Sequence, residues 1–202
     1  WRFPFFVAFA INVVGLFARL RLVSTTEYAR LLDTNHMTPA PVGELMRNQG
    51  TNIVIGAMTA LASYALFHLV TVFPLSWIQL YDTRPVESFL LVQMAGAVLA
   101  ALGILASGYI ADKVGRRTTL GTLAALIALF SVFVPSLIDG GTAGQNTFIL
   151  VGFTLLGLSY GQAAGATTSN FQKHFRYTGA ALTSDLAWLV GAAFAPLVAL
   201  GL

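Results

Sequence analysis

Six long apolar stretches constrain this chain more than any other feature of its sequence. They cover residues 3–18, with a possible extension to Leu22, then 53–78, 88–111, 120–138, 147–171 and 177–202. A helix rises about 1.5 Å per residue and the hydrocarbon layer of a bilayer is about 30 Å thick, so stretches of this length fit transmembrane helices. Membrane-spanning strands need only about ten residues and alternate apolar with polar side chains. The sequence therefore predicts an all-α membrane protein with six transmembrane helices in contact with the lipid bilayer.

The composition agrees with this class and excludes several others. Hydrophobic residues make up 56% of the chain and charged residues 9%, whereas soluble domains carry roughly 25% charged residues. There is no cysteine, and the three histidines, His36, His68 and His174, are scattered. We therefore expect no metal and no cofactor. The basic residues form no continuous stripe, so we expect no nucleic-acid partner.

Positive charges are distributed unequally among the connections between the apolar stretches. If residues 108–117 are cytoplasmic, nine of the 11 basic residues lie on that side of the membrane: Arg19, Arg21, Arg30, Arg47, Lys113, Arg116, Arg117, Lys173 and Arg176. An excess of positive charge in cytoplasmic loops is the usual topological signal. It predicts that residues 19–52, 112–119 and 172–176 are cytoplasmic in a multi-pass protein.

The connections also divide the chain into unequal parts. Residues 1–22 form the first predicted helix, and residues 23–52 form a long central cytoplasmic loop that we expect to be partly helical at 26–33. Residues 53–202 hold five helices, which short connections force to be neighbours. Because the chain starts at Trp1 and stops inside an apolar stretch at Leu202, we expect it to be a fragment of a longer protein.

The most specific motif is a charged hinge between the third and fourth apolar stretches. It consists of Gly108, Asp112, Lys113, Gly115, Arg116 and Arg117. We expect a loop over 112–119, with glycines that allow a close helix approach and a tight turn. Asp112 is expected to pair with Arg116 or Arg117, or to cap a neighbouring helix.

This hinge resembles the loop signature of the major facilitator superfamily. Two other segments resemble its metabolite:proton symporter branch: residues 1–5 are similar to the start of that branch's sixth helix, and residues 176–179 to the entry of the eleventh. The resemblance implies that the chain holds helices six to eleven of a major-facilitator-type bundle, mostly its C-terminal half. It also implies that the remaining helices of the same transporter are partners, and that the six hinge residues form a conformational latch.

The function that the resemblance implies is secondary active transport, not enzymatic catalysis. The expected substrate is a small polar metabolite, with an organic acid favoured, moved across a bacterial inner membrane by proton-coupled alternating access. Two alternatives stay open: an uncoupled facilitator or exporter of the same superfamily, and a membrane sensor or scaffold that keeps the fold without transport. The second alternative arises because this chain has Ser24, Thr26, Gln162, Asn170 and Gln172 where the branch usually has acidic residues and prolines.

Several polar and aromatic residues within the apolar stretches are candidates for a substrate or proton pathway. Asp185 is the strongest candidate. Inserting an aspartate at the centre of a membrane helix costs about 2.5–3.5 kcal/mol of free energy, so its side chain should face water or a partner. His68 and Tyr64 can share one face of a helix, although packing explains such a face equally well. Because the resemblance implies that helices seven, eight, ten and eleven line the pathway, Gln162 and Trp188 join the candidates.

Glycines and prolines mark further positions within the predicted helices. Gly157, Gly161 and Gly165 recur every four residues, which predicts a stripe for close helix packing. Residues 157–161 also match the motif that presents a hydrolase nucleophile, but that motif needs a strand, a sharp turn and a helix. We therefore predict no catalytic residues. Pro74 and Pro135 lie within predicted spans, where they could kink or end a helix.

Overall fold

The computed structural model describes residues 2–26, 30, 40–82 and 84–201, and nearly all of them are helical. The helices are α1 (Phe3–Val23), α2 (Val42–Thr71), α3 (Phe73–Tyr81), α4 (Val86–Val114), α5 (Arg116–Asp139), α6 (Gly141–Ser169) and α7 (Arg176–Gly201), with a short 3₁₀ turn at Lys173–Phe175. Among the described residues, five segments are long and apolar enough to cross a membrane, and α2 and α3 together form one of them. The prediction of an all-α membrane fold is confirmed.

Five of the predicted spans form a bundle, whereas α1 stands apart from it. No residue of the apolar window in α1 is buried. Within the bundle, α2 packs most extensively on α7, and α4 on α6. Helix α6 also contacts α2, α5 and α7, so it occupies the centre of the bundle.

The second predicted span, 53–78, is two helices in the structure. Helix α2 ends at Thr71 and α3 begins at Phe73, with Pro74 in its first turn. Proline lacks the backbone N–H that would continue the hydrogen bonds of α2. Gln93 of α4 compensates, because its Nε2 donates hydrogen bonds of 3.1 Å to the backbone oxygens of both Val70 and Thr71. Pro135, by contrast, lies inside the continuous helix α5.

The predicted central loop, 23–52, is shorter than expected because α2 already begins at Val42. A kink follows at Gln49, where φ is −138° and ψ is 26°. The early part of α2 is buried against the connection between α6 and α7, in a cluster formed by Ala40, Leu45, Ile53, Phe171 and Phe175. This burial explains the extra helix, which the sequence pattern alone did not indicate. Most of the expected helical segment 26–33 lies outside the described residues.

The charged hinge is also shorter than the predicted loop over 112–119. Gly115 alone separates α4 from α5. Its φ of 92° is a conformation that side chains with a Cβ rarely adopt, so glycine allows the chain to reverse within one residue. The charged residues on either side therefore belong to the ends of helices rather than to a loop.

Small residues bring the helices of the bundle into close contact. A Cβ on Gly157 would lie 2.6 Å from the Cα of Ala100 in α4, so these two backbones touch. Between α2 and α7, a Cβ on Gly191 would lie 2.9 Å from the backbone nitrogen of Ala65. In membrane proteins, where apolar burial does not drive helix association, such backbone contacts supply much of the packing energy.

Candidate functional site

The hinge residues lie at one end of the bundle, where α4 and α6 end and α5 and α7 begin. We call this the basic end, because five basic residues lie there: Lys113, Arg116, Arg117, Lys173 and Arg176. It is the end that the charge pattern predicts to be cytoplasmic. Asp112, Lys113 and Arg117 are exposed there.

Arg116 connects the hinge to the interior of the bundle. Its Nε donates a 3.3 Å hydrogen bond to Oε1 of Gln162, and Nε2 of Gln162 donates a 3.2 Å hydrogen bond to Oγ of Ser107. The guanidinium lies over Gly165, since a Cβ there would be 2.8 Å from Nη1 of Arg116. These contacts tie α5 to α6 and, through Gln162, to α4.

The pairing expected for Asp112 is not made among the described residues. Its carboxylate is exposed, and the hydrogen bond of Arg116 goes to Gln162 instead. Lys113 lies over the ring of Tyr109, with Nζ 4.4 Å from the ring centroid. The close approach expected at Gly108 is also absent from the described part of the chain, because a Cβ there would meet nothing within 4 Å. In the described bundle, the side chain of Asp112 is exposed and no other helix packs against Gly108.

Aromatic side chains from α2, α6 and α7 meet in a cluster of which only Tyr64 is fully buried. This aromatic cluster consists of Tyr64, Phe67, His68, Tyr160 and Trp188. The rings of Tyr64 and Trp188 stack with their centroids 4.7 Å apart and an interplanar angle of 17°. His68 meets Trp188 edge to face at 5.3 Å. Three of the predicted pathway residues, Tyr64, His68 and Trp188, are therefore in one cluster.

His68 has an unusual environment within the aromatic cluster. Its Nε2 is buried and has no hydrogen-bond partner. A buried polar atom without a partner costs about 1–3 kcal/mol, so such atoms call for a specific explanation. A hydrogen-bonding group from outside the described residues would satisfy this nitrogen.

Asp185 lies on α7 beside the aromatic cluster but outside it. It is roughly 13 Å along α7 from the start of the helix, and its side chain is exposed. The preceding residue, Ser184, forms a 2.9 Å hydrogen bond with the hydroxyl of Tyr64. Trp188 is one helical turn further on. Because a carboxylate facing lipid at this depth is costly, the exposed face of Asp185 is expected to meet water or another part of the protein.

The structure does not bring Gln162 into the aromatic cluster with the other pathway candidates. Its amide lies instead in the hydrogen-bonded chain between Arg116 and Ser107. Sequence reasoning also missed Phe67, Tyr160 and Ser184 as members of this site, and Phe67 and Ser184 belong to no motif. Tyr160 belongs to the hydrolase-like pattern at 157–161, which lies inside the helix α6, as predicted.

A second polar network lies at the opposite end of the bundle and was not predicted. Arg84 donates hydrogen bonds to Oε1 of Gln145 at 3.1 Å and to Oδ1 of Asn146 at 2.8 Å. Gln145 in turn donates a 2.6 Å hydrogen bond to Oδ2 of Asp82. This network fastens the connection between α3 and α4 to the first turns of α6.

Comparison with known proteins gives the family. The sequence profile of the Major Facilitator Superfamily matches residues 1–196. A putative metabolite transport protein of Haemophilus influenzae is 31% identical over 100% of this chain and 48% of its own length. The inner membrane metabolite transport protein YhjE of Escherichia coli is 27% identical over 98% of this chain and 47% of its own length. The shikimate transporter of Escherichia coli is 26% identical over 100% of this chain and 47% of its own length. No solved structure matches the chain significantly.

The helical bundle, with its long apolar helices, defines a multi-pass membrane protein. The chain belongs to the Major Facilitator Superfamily. It spans about half the length of the curated relatives that it matches. The predicted family and the predicted partial coverage are both confirmed.

Proposed function

We propose that this chain is part of a secondary transporter that moves a small polar metabolite, preferably an organic acid, across a bacterial inner membrane by proton-coupled alternating access. In this proposal, the aromatic cluster forms part of the substrate pathway. Asp185 and His68 are the candidates for proton exchange on this side of the pathway. The six hinge residues act as the latch that stabilises one of the two alternating states.

The observation that carries the proposal is the buried Nε2 of His68 within the aromatic cluster. The ring of His68 lies against Trp188, and Trp188 stacks on Tyr64, so α2 and α7 meet through these side chains. Aromatic faces bind the apolar body of a metabolite, and an unsatisfied nitrogen binds one of its polar groups. In transporters with repeated halves, the site lies near the middle of the membrane.

The relatives support an organic acid as the substrate class. Shikimate, which one relative's name gives as its substrate, is an organic acid. The apolar stretches of this chain hold no arginine or lysine near their centres. The carboxylate of such a substrate would therefore need a cation from outside this chain. The aromatic cluster would contact the rest of the substrate.

The test is substrate-induced proton uptake by the full-length protein in proteoliposomes. Carboxylates, amino acids and zwitterionic osmolytes should be compared in the native protein and in the variants Asp185→Asn and His68→Gln. Asp139→Asn is the matched control, because Asp139 is an exposed aspartate at the far end of α5. We expect carboxylate-induced proton uptake that Asp185→Asn or His68→Gln abolishes and Asp139→Asn preserves.

Other outcomes would favour the alternatives. Uptake that ignores an imposed pH gradient would indicate a facilitator or an exporter without proton coupling. If no compound is transported, and Asp185→Asn and His68→Ala leave the cellular role intact, the protein is a sensor or scaffold. Coupled uptake that all variants retain would place proton exchange in the remaining helices.

A further inference from the structure

An open cleft at the basic end is separate from the aromatic cluster, and two of the hinge residues, Arg116 and Arg117, line it. It lies between α2, α5 and α6 and has a volume of about 640 Å³. This volume is within the range of ligand pockets in proteins, about 300–1,000 Å³. The cleft therefore has room for a ligand larger than an ion.

The walls of the cleft change from polar to apolar with depth. Arg117, Ser169 and Asn170 line it where α5 begins and α6 ends. Leu120 and Ala124 line it further along α5, and Ala124 is roughly 10 Å deeper than Arg117. A ligand that fits both parts carries an anionic group at one end and an apolar chain at the other.

Arg117 is the cation available to such a ligand. Arg116 also lines the cleft, but its Nε is bonded to Gln162 and its guanidinium covers Gly165. Arg117 is exposed and has no ion-pair partner within the part of the chain that the structure describes. Arginine binds phosphate groups through paired N–H donors, which gives both energy and orientation.

We propose that this cleft binds one anionic phospholipid of the cytoplasmic leaflet. The phosphate lies at Arg117, near the polar groups of Ser169 and Asn170, and an acyl chain extends along the apolar wall formed by Leu120 and Ala124. The charge pattern of the chain places this end in the leaflet that carries anionic lipids, and basic pockets between transmembrane helices on that side bind such head groups. The lipid would bridge α2, α5 and α6 at the end of the bundle that holds the hinge.

The test is lipid binding to the full-length protein, measured by native mass spectrometry during titration with phosphatidylglycerol or phosphatidylcholine. A basic residue near the membrane surface contributes about 1 kcal/mol to anionic lipid binding, which corresponds to about a fivefold change in affinity. We therefore expect Arg117→Gln to weaken phosphatidylglycerol binding about fivefold and to remove its preference over phosphatidylcholine. Arg47→Gln, which removes an exposed arginine outside the cleft, should have no such effect.

A second pair of variants tests the apolar part of the cleft without changing charge. Ala124→Leu narrows the deep wall and should weaken the binding of both lipids. Ala125→Leu makes the same change at the next residue of α5, which is exposed but does not line the cleft, and should leave binding unchanged. The proposal is overturned if both lipids bind the native protein equally, if Arg117→Gln and Arg47→Gln behave alike, or if no lipid is retained. It is also overturned if glycerol phosphate, which lacks the acyl chains, competes as well as the lipid does.

Discussion

The contact between α4 and α6 at Gly157 gives the sharpest quantitative prediction. In Gly157→Ala, the added Cβ would lie 2.6 Å from the Cα of Ala100 and would also meet the carbonyl group of that residue. Carbon atoms in favourable contact are about 3.5–4.0 Å apart, so the two helices must separate locally by about 1 Å. Both contact surfaces are backbone, and no rotation of a side chain can relieve the clash.

The magnitude follows from two opposing effects. Inserting a methyl group into a packed contact costs about 1–3 kcal/mol. Replacing glycine by alanine inside a helix gains about 1 kcal/mol, because alanine is the better helix former. We therefore expect a net loss of up to about 2 kcal/mol for Gly157→Ala. In Gly108→Ala on α4, the same methyl group meets nothing within 4 Å, so only the gain in helix propensity remains.

The assay is reversible unfolding of the purified full-length protein in detergent micelles, with both variants compared with the native protein. We expect the two variants to differ by about 1–3 kcal/mol, with Gly157→Ala the less stable, because both gain helix propensity and the cost of overpacking applies to Gly157→Ala alone. If Gly157→Ala is as stable as Gly108→Ala, the close contact of α4 with α6 is wrong. A loss in Gly108→Ala would show instead that its open face is covered by the remaining helices of the protein.

Two further predictions concern hydrogen bonds that fasten the ends of helices. Gln93→Leu leaves two backbone oxygens at the end of α2 without their side-chain donor. It should therefore destabilise the protein by about 1–3 kcal/mol in the same unfolding assay. Unchanged stability would show that water reaches these oxygens. Arg84→Gln removes the hydrogen bonds to Gln145 and Asn146. Because Arg84 is partly exposed, we expect Arg84→Gln to lower the free energy of unfolding by only about 1 kcal/mol. We also expect faster hydrogen exchange in the first turns of α6. Equal exchange in the variant and native proteins would contradict the role of this network.

Much of the fold could be predicted from the sequence, because the length and hydropathy of a span are local properties. The all-α class, the six long helices and the break near Pro74 follow from the order of residues along the chain. The limits of the helices were less predictable. Helices α4 and α5 both continue into the charged hinge, and a single glycine suffices for the turn between them. Water at a membrane surface solvates charged side chains on a helix as well as on a loop, so the charges do not mark the end of a helix.

The candidate site was predicted only in part. The sequence identified Tyr64, His68 and Trp188 as candidates, but not that they form one cluster with Tyr160. It grouped Gln162 with them, whereas in the structure Gln162 accepts a hydrogen bond from Arg116 of the hinge. These assignments depend on the rotation of each helix about its own axis, which the order of residues does not specify.

The sequence by itself determined that this protein is a bundle of transmembrane helices of the Major Facilitator Superfamily, and that its positive charges gather on one side. Only the tertiary structure decided which side chains meet: the stack of Tyr64 on Trp188, the bond from Arg116 to Gln162, and the basic cleft at Arg117. The physical reason is that helices in lipid are apolar on most of their surface, so the periodic pattern that orients a helix in a soluble protein is weak. Helix facing is then set by small residues, polar contacts and close packing between helices, which exist only once the chain has folded.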